Sequence, residues 1–506
     1  MKSKKIVSVI LALVMCLGTV PAVLGASNGI EITNPYANVD WDGVNVYKTA
    51  LHTHTNQSDG DPTVLESLER HAQTGFDIVA ITDHGTVNYT WTSDSSNTLI
   101  HGALSLVGKS EGDLVWAQES GEFPGGESYT VTTSASGDDY LTTAGGQTML
   151  RMPYGIENNA VSVNAHVNSW FVDYHDNTIT QYSDAVAAVD AKGGVCVINH
   201  PGEYTKARYE LHSLDAYNEL NPSYAYYINL YASLLDKYDA CIGIDMNSKG
   251  DNRTRFDRIL WDTLLTRFSA KGENVFGICS SDAHQLKVID TGCVQLLAPE
   301  LSSAAARKAL ENGEFFGASH CLGNPDELYD IASALKKFYG ETELYNAVYS
   351  SATAMTAKVA AIENGEEDAD EDISITYSVL DENGFATAEF PTIKSVGVDG
   401  SVIEIESENA LLVRFISNGK LIATVKAEDG AIDLSDYEDV LGDYVRAEVF
   451  GEGGMLYVQP FLINASEKED APVTTGLFVR LGVLDFLLAV FNNWNDIIAR
   501  FFANLF

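Results

Sequence analysis

Between residues 44 and 317, short apolar runs rich in β-branched side chains alternate with longer stretches of helical or irregular pattern. The runs fall at 44–51, 76–82, 161–164, 194–199, 241–246 and 275–279, and helix-patterned stretches at 62–74, 184–191 and 255–268 separate several of them. Strands apolar on both faces, alternating with helices, predict an α/β architecture with a parallel sheet, open or closed into a barrel. Beyond residue 350 the pattern changes. An Ala-rich stretch at 352–361 leads into a strongly acidic one at 363–372, which reads as a solvated linker or loop. Short alternating segments follow at 373–377, 402–405, 411–415, 421–425, 444–450 and 455–461, punctuated by turn sequences such as Asp381-Glu382-Asn383-Gly384 and Ser417-Asn418-Gly419. These predict a small antiparallel β domain. In the apolar tail at 477–506, Asp485, Asn492, Asp496, Arg500 and Asn504 share one face at helical spacing, which predicts an amphipathic C-terminal helix.

The N-terminus is of another kind. Lys2, Lys4 and Lys5 precede an apolar run over 6–20 and the small residues Ala22, Gly25 and Ala26, the pattern of a secretory signal peptide over 1–26. The run is short for a spanning helix, so the protein is expected to be secreted or associated with the cell surface. The organisation that follows is an α/β unit, open-sheet or barrel, over 36–350 carrying an insertion at 85–150, a β-rich accessory domain over 372–465, and the helix at 477–506. The tail has no uncharged stretch of 18 residues and its polar face is not basic, so packing on the protein or a partner is favoured over membrane association.

Charge narrows the partners. With 31 Lys and Arg against 71 Asp and Glu, the net charge is -40, a field that repels phosphate polymers and argues against a stable nucleic-acid complex. A small anionic substrate stays admissible, because bound cations reverse the sign locally inside a cleft. Without Cys16 of the leader, the cysteines are Cys196, Cys241, Cys279, Cys293 and Cys321. Their odd number, wide spacing and apolar settings predict buried thiols, with no disulfide framework, zinc knuckle or cysteine nucleophile.

Histidine carries the chemistry. His52-Thr53-His54 follows the first apolar run, with Ser58-Asp59-Gly60 one loop later; Asp83-His84 closes the second. Gly155-Ile156-Glu157 precedes the run at 161–164, which is followed by His166; Asn199-His200-Pro201 follows the run at 194–199, and Ser281-Asp282-Ala283-His284 the run at 275–279. In α/β barrels and open α/β sheets the C-terminal strand ends converge on one face, where active sites lie. Six imidazoles and three carboxylates without a thiolate suit Zn, Mn or Fe ions in a hydrolytic site. His71, His101, His175 and His212 lie away from the strand ends and read as surface or helix residues, while His320 is open to either reading.

These groups closely resemble the polymerase and histidinol phosphatase (PHP) superfamily of metal-dependent phosphoesterases, over residues 45 to 320. The resemblance implies a distorted (βα)7 TIM-like barrel with two or three divalent metal ions at the strand ends. Its nine-ligand pattern falls on His52, His54, Asp59, His84, Glu157, His166, His200, Asp282 and His284. It implies that Glu157 bridges two ions, that His52, His54 and Asp282 complete one site and His166 and His200 the second, and that Asp59, His84 and His284 hold the third. Glu119, in the long segment between His84 and Glu157, is the rival to Glu157 as bridging ligand. Asp245 stands at a strand end where relatives often carry Glu.

The implied reaction is hydrolysis of a small phosphomonoester by a metal-bridging hydroxide, with no protein nucleophile. His200 and Asp282 are the candidate general acids toward the leaving oxygen. Lys249 and Arg253, after the run at 241–246, are candidates for the substrate phosphate, though solvated loop charges would look the same. Two alternatives stand beside this reading: a phosphodiesterase or 5'-3' exonuclease-like activity on nucleotides or short oligonucleotides, and a non-catalytic surface binding protein whose barrel keeps metal for structure.

Overall fold

The computed structural model describes residues 29–465 apart from 93–97, 107, 109, 111, 159–165, 176–180, 368–372 and 374. The expected leader at 1–26, the apolar run at 161–164 and the expected helix at 477–506 lie outside the described residues. The other five runs form the strands Asn45–Ala50, Ile78–Val79, Val195–Ile198, Cys241–Asn247 and Phe276–Cys279. The last four are largely buried on both faces, as a continuous apolar pattern requires, whereas Asn45–Ala50 starts exposed and is buried only at Thr49 and Ala50. The chain is thus a mixed α/β protein with several sheets and helices.

One sheet runs in order through Phe276–Cys279, Cys241–Asn247, Val195–Ile198, Val167–Trp170 and Ile156–Asn158. Its first three strands are parallel, but Val167–Trp170 is antiparallel to both of its neighbours, where an all-parallel sheet was expected. The reason is chain length. Only eight residues join Asn158 to Val167, and a parallel crossover needs a dozen or more. In a second, thirteen-stranded sheet, Asn45–Ala50 and Ile78–Val79 pair in parallel. Two isolated parallel bridges, Thr53 with Ala283 and His84 with Glu157, carry pairing from one sheet into the other at both ends of the five-stranded sheet.

The residues 85–150 contribute the helix Thr98–Leu106 and a run of antiparallel strands from Ser120–Glu122 to Thr148–Arg151, the last parallel to Ile78–Val79. The Ala-rich stretch forms the second half of the helix Glu343–Glu363, packed on Pro325–Tyr339. Beyond it, Leu412–Ser417, Lys420–Lys426, Tyr444–Gly451 and Gly454–Ile463 pair antiparallel, and Gly454–Ile463 pairs onward with Phe315–Ser319. They therefore continue the large sheet. Ile32–Thr33, at the start of the described chain, closes on the outer end of Gly454–Ile463.

The last two strands are buried at every position. Alternate residues explain why: Tyr444, Phe450, Met455 and Tyr457 enter one apolar cluster with the helices, and Val445, Ala447, Val449, Leu456 and Val458 enter the cluster on the opposite face. A chain of buried ions crosses this seam. Arg258 grips Asp251 with both terminal nitrogens (3.1 and 3.2 Å) and reaches Glu327 at 2.6 Å. Arg414 joins Glu327 to Glu448, and Arg446 joins Glu448 (2.6 Å) to Asp262 (2.8 Å). Removing one partner from such a chain strands a buried charge and costs about 3–5 kcal/mol. All five described cysteines are buried and free.

Two histidines outside the strand-end groups are buried and neutral. His71 lies in the helix Val64–Gln73 but is fully enclosed, and burial lowers it to about 4. His320 donates from Nδ1 to the Gly453 carbonyl at 2.6 Å and stacks on Phe390, and burial, with Lys48 nearby, lowers it to about 3. The unfolded chain takes up a proton at His320 below about pH 6.5 that the folded chain refuses until about pH 3, so stability falls as pH drops across that window. In urea titrations between pH 7 and pH 4, His320→Gln is expected to lose up to about 1.4 kcal/mol per pH unit of this acid sensitivity. An unchanged pH slope would contradict a neutral, buried imidazole.

Candidate metal centre

Five chain segments deliver the histidine groups to one rim. His52 and His54 continue the Asn45–Ala50 strand, and because an extended chain alternates sides, they share a face while the Thr53 side chain turns away, its hydroxyl 3.4 Å from His71 Nε2. His84 follows the Ile78–Val79 strand, His200 follows Val195–Ile198, and Asp282 and His284 follow Phe276–Cys279. His166 arrives differently from the expectation. It precedes the strand Val167–Trp170, whose reversed direction brings its start to the same rim as the ends of the others. Glu157, by contrast, lies inside a strand, Ile156–Asn158. Close packing demands two glycines here: a Cβ on Gly60 would lie 2.7 Å from the His54 carbonyl group, and one on Gly155 2.6 Å from the Ile81 oxygen.

The nine side chains singled out from the sequence fall into three overlapping groups able to hold a cation. These are His52, Glu157, His200 and Asp282; His84, Glu157 and His166; and His54, Asp59, His84 and His284. His52 Nε2 lies 3.1 Å from His54 Nε2, 3.3 Å from Glu157 Oε2 and 3.2 Å from Asp282 Oδ1. His54 Nε2 is 3.1 Å from each of the same two oxygens. Corners of a tetrahedron about 2.0 Å from a central ion stand about 3.3 Å apart, so these five distances are of the size found within one coordination shell. Glu157 Oε2 and Asp282 Oδ1 are buried without a hydrogen-bond partner among the described residues, as oxygens turned toward a cation would be.

Glu157 faces two ways. While Oε2 turns to His52 and His54, Oε1 lies 2.8 Å from His166 Nδ1 and 3.3 Å from His200 Nε2. Asp59 connects to His84 (3.6 Å), His284 (3.4 Å) and, through Nδ1, His54 (3.5 Å), so His54 touches both the first and third groups. The donor set is nitrogen and oxygen throughout, and it fits divalent cations. Burial opposes ionisation of Glu157 and Asp282, but both are held well below the usual carboxylate range: Glu157 by His166, His52 and His84, Asp282 by Lys249, His52 and His200. Burial lowers His52, His166 and His200. His54 is raised well above the usual value, where Asp282 and Glu157 outweigh burial.

Several supporting residues carried only faint sequence signals. Asp83, beside His84, accepts from the Thr55 amide at 2.7 Å and from the Thr55 and Ser58 hydroxyls at 2.6 Å, which fixes the loop after His54. Asn199, before His200, donates to Glu157 Oε1 at 2.7 Å. The Tyr204 hydroxyl stands 2.7 Å from His166 Nε2. Glu203 sits among Lys249 (3.3 Å), Arg253 (3.0 Å) and Arg208 (3.7 Å); Lys249, His200 and Arg253 outweigh burial and lower its carboxyl to about 2.

Lys249 also pairs with Asp282, inside the cavity, while Arg253 stands at its more exposed mouth. The backbone is strained at these points: His200, Lys249, Asp251 and Asp282 all have positive φ, a conformation that costs a non-glycine residue about 1–3 kcal/mol and gathers at functional sites. Glu119 is exposed to solvent, away from these groups. Asp245 is buried under the site with its carboxylate accepting from the Ser280 hydroxyl, and burial raises it well above the usual range.

No protein-family model and no curated protein matches the chain. Among solved structures it is similar to a two-domain protein containing a predicted PHP-like metal-dependent phosphoesterase from Bacteroides vulgatus, at 15% identity and a TM-score of 0.32, over 87% of this chain and 91% of that one. At that distance the likeness carries no argument, and the chemistry of this chain rests on its own residues.

Proposed function

We propose that the chain is an exported metal-dependent phosphoesterase hydrolysing small phosphomonoesters, built on a distorted seven-stranded barrel. The observation that carries this reading is the Glu157 carboxylate, buried between two groups of imidazoles, with Oε2 at 3.3 and 3.1 Å from His52 and His54 and Oε1 at 2.8 and 3.3 Å from His166 and His200. Parallel bridging at Thr53 and His84 supports the barrel, because it links the two sheets at both ends of the five-stranded one. The leader pattern at 1–26 supports export.

Two or three Zn, Mn or Fe ions, held by the nine side chains, would supply Lewis acidity and an activated water. The chain itself does the rest. Asp59, Glu157 and Asp282 bring negative charge that balances divalent cations, and Asn199 and Tyr204 orient Glu157 and His166. The cavity holds about 670 Å³, in the range for a small molecule, and its lining includes Lys249, Asn252, Arg253 and Tyr204 beside the cluster. Lys249 and Arg253 supply positive charge for phosphoryl oxygens in a protein that is otherwise strongly acidic. His200 and Asp282 lie beside Lys249 on the same side of the cavity; Asp282 is held ionised there, which leaves His200 as the candidate proton donor to the leaving oxygen.

Glu157→Gln is expected to reduce bound metal by at least one ion per chain and kcat/KM by more than about 100-fold, whereas Glu119→Gln leaves both unchanged. Metal analysis of protein loaded with Mn or Zn reads this directly, and full metal retention in Glu157→Gln would refute the bridging role. Loaded protein spanning 27–506 is expected to release p-nitrophenol from p-nitrophenyl phosphate faster than from the bis-ester. Lys249→Gln should raise KM for the monoester about tenfold. Faster turnover of the diester would move the reading to a phosphodiesterase, and bound metal without turnover of either would favour the binding protein.

A further inference from the structure

Asp251 touches none of the nine side chains in the metal groups, yet it is fully buried and heavily engaged. Its carboxylate accepts both terminal nitrogens of Arg258, at 3.1 and 3.2 Å, and the Gly323 amide at 2.6 Å. Its own amide donates to the Ser248 carbonyl at 2.7 Å. Residues 249, 250 and 251 have φ of 50°, 62° and 61°, three successive left-handed positions of which only Gly250 adopts that shape without strain. Thr254 closes the base of the loop: its hydroxyl accepts from the Ser248 amide at 3.0 Å and donates to the Ser248 carbonyl at 2.6 Å. A right-handed or extended path through the same residues would send the Lys249 side chain in another direction. The left-handed path turns it back, so that its ammonium meets Asp282 and lies 3.3 Å from Glu203.

What holds the turn comes from outside the loop. Arg258 projects from the helix Asp257–Ser269, and its second partner Glu327 begins the ion chain through Arg414, Glu448 and Arg446 into the C-terminal strands. The Gly323 amide follows the short strand Cys321–Leu322. A two-nitrogen grip fixes a carboxylate in angle as well as in distance. We propose that Asp251, gripped by Arg258 and the Gly323 amide, is a positioning residue that holds the left-handed turn and so directs the Lys249 ammonium into the cavity. The functional part of this assignment rests on the phosphoesterase reading above, in which Lys249 meets the substrate phosphate.

The test uses the full chain carrying Asp251→Asn, with two readouts. One is reductive methylation of Lys249 by formaldehyde, followed by peptide mass spectrometry, with Lys48, paired to Asp290 elsewhere, as the internal control. Lys249 should be modified about tenfold faster in the variant while the Lys48 rate stays constant. The other is p-nitrophenyl phosphate hydrolysis by the Mn-loaded protein. Asp251→Asn should raise KM as Lys249→Gln does, at unchanged metal content, and the double variant should be no worse than Lys249→Gln alone.

An unchanged Lys249 rate, or penalties that multiply in the double variant, would overturn the assignment. If Asp251→Asn modifies Lys48 faster as well, the fold itself has loosened. Arg258→Lys, which keeps a cation but gives up the two-nitrogen grip, then takes its place: faster methylation of Lys249 alone supports the assignment, and an unchanged rate overturns it. Should the wild-type protein hydrolyse neither ester, the phosphoesterase reading fails, and the methylation rates alone decide whether Asp251 holds the turn.

Discussion

One buried carboxylate sets the terms for the rest of the structure. Glu157 has no access to solvent, and its neighbours are imidazoles drawn from four other segments of the chain. A carboxylate in such a place is tolerated only if compensating groups surround it closely on every side. That demand explains the short spacing after His52, the glycines at 60 and 155 that let backbones approach, and the hydrogen bonds that Asp83 uses to lock the loop after His54. It also explains why strands of both directions terminate here: the rim is defined by what must reach Glu157.

Electrostatics work at two scales. The whole chain is strongly acidic, yet three cations collect at one side of the cavity around Glu203. Glu203 compensates all three, and Asp282 is a second anionic partner of Lys249. An anion entering the cavity would compete with Glu203 for the same hydrogens. Further out, three arginines and four acids alternate in the buried chain from Asp251 to Asp262, and this arrangement ties the helices behind the site to the C-terminal strands.

Much of the site was legible because its signals are local. His52-Thr53-His54, Asp83-His84 and Asp282-Ala283-His284 announce themselves as strand-end groups, since each follows a short run rich in apolar and β-branched residues. What was hidden depends on pairing across long separations. The reversal of Val167–Trp170 follows from a short connection whose consequence appears only once neighbours are known. Arg258, Arg414 and Arg446 look in sequence like ordinary surface charges, and only the register of strands and helices brings them to their acids. Glu203 and Tyr204 resemble any first turn of a helix after Asn199-His200-Pro201, and the buried state of His71 and His320 had no local mark at all.

The pairing of Ile32–Thr33 with the far end of Gly454–Ile463 has a consequence for how the protein comes into being. The Glu31 amide also donates to the Asn464 side chain at 2.8 Å, so the two ends of the described chain are neighbours. Between them, the large sheet stays incomplete until its last strand has been made, with Phe315–Ser319 left as a bare hydrogen-bonding edge. Such topology folds slowly, because its closing contacts span nearly the whole chain. Synthesis that stops short of residue 454 would therefore leave an adhesive edge in place of a smaller finished sheet.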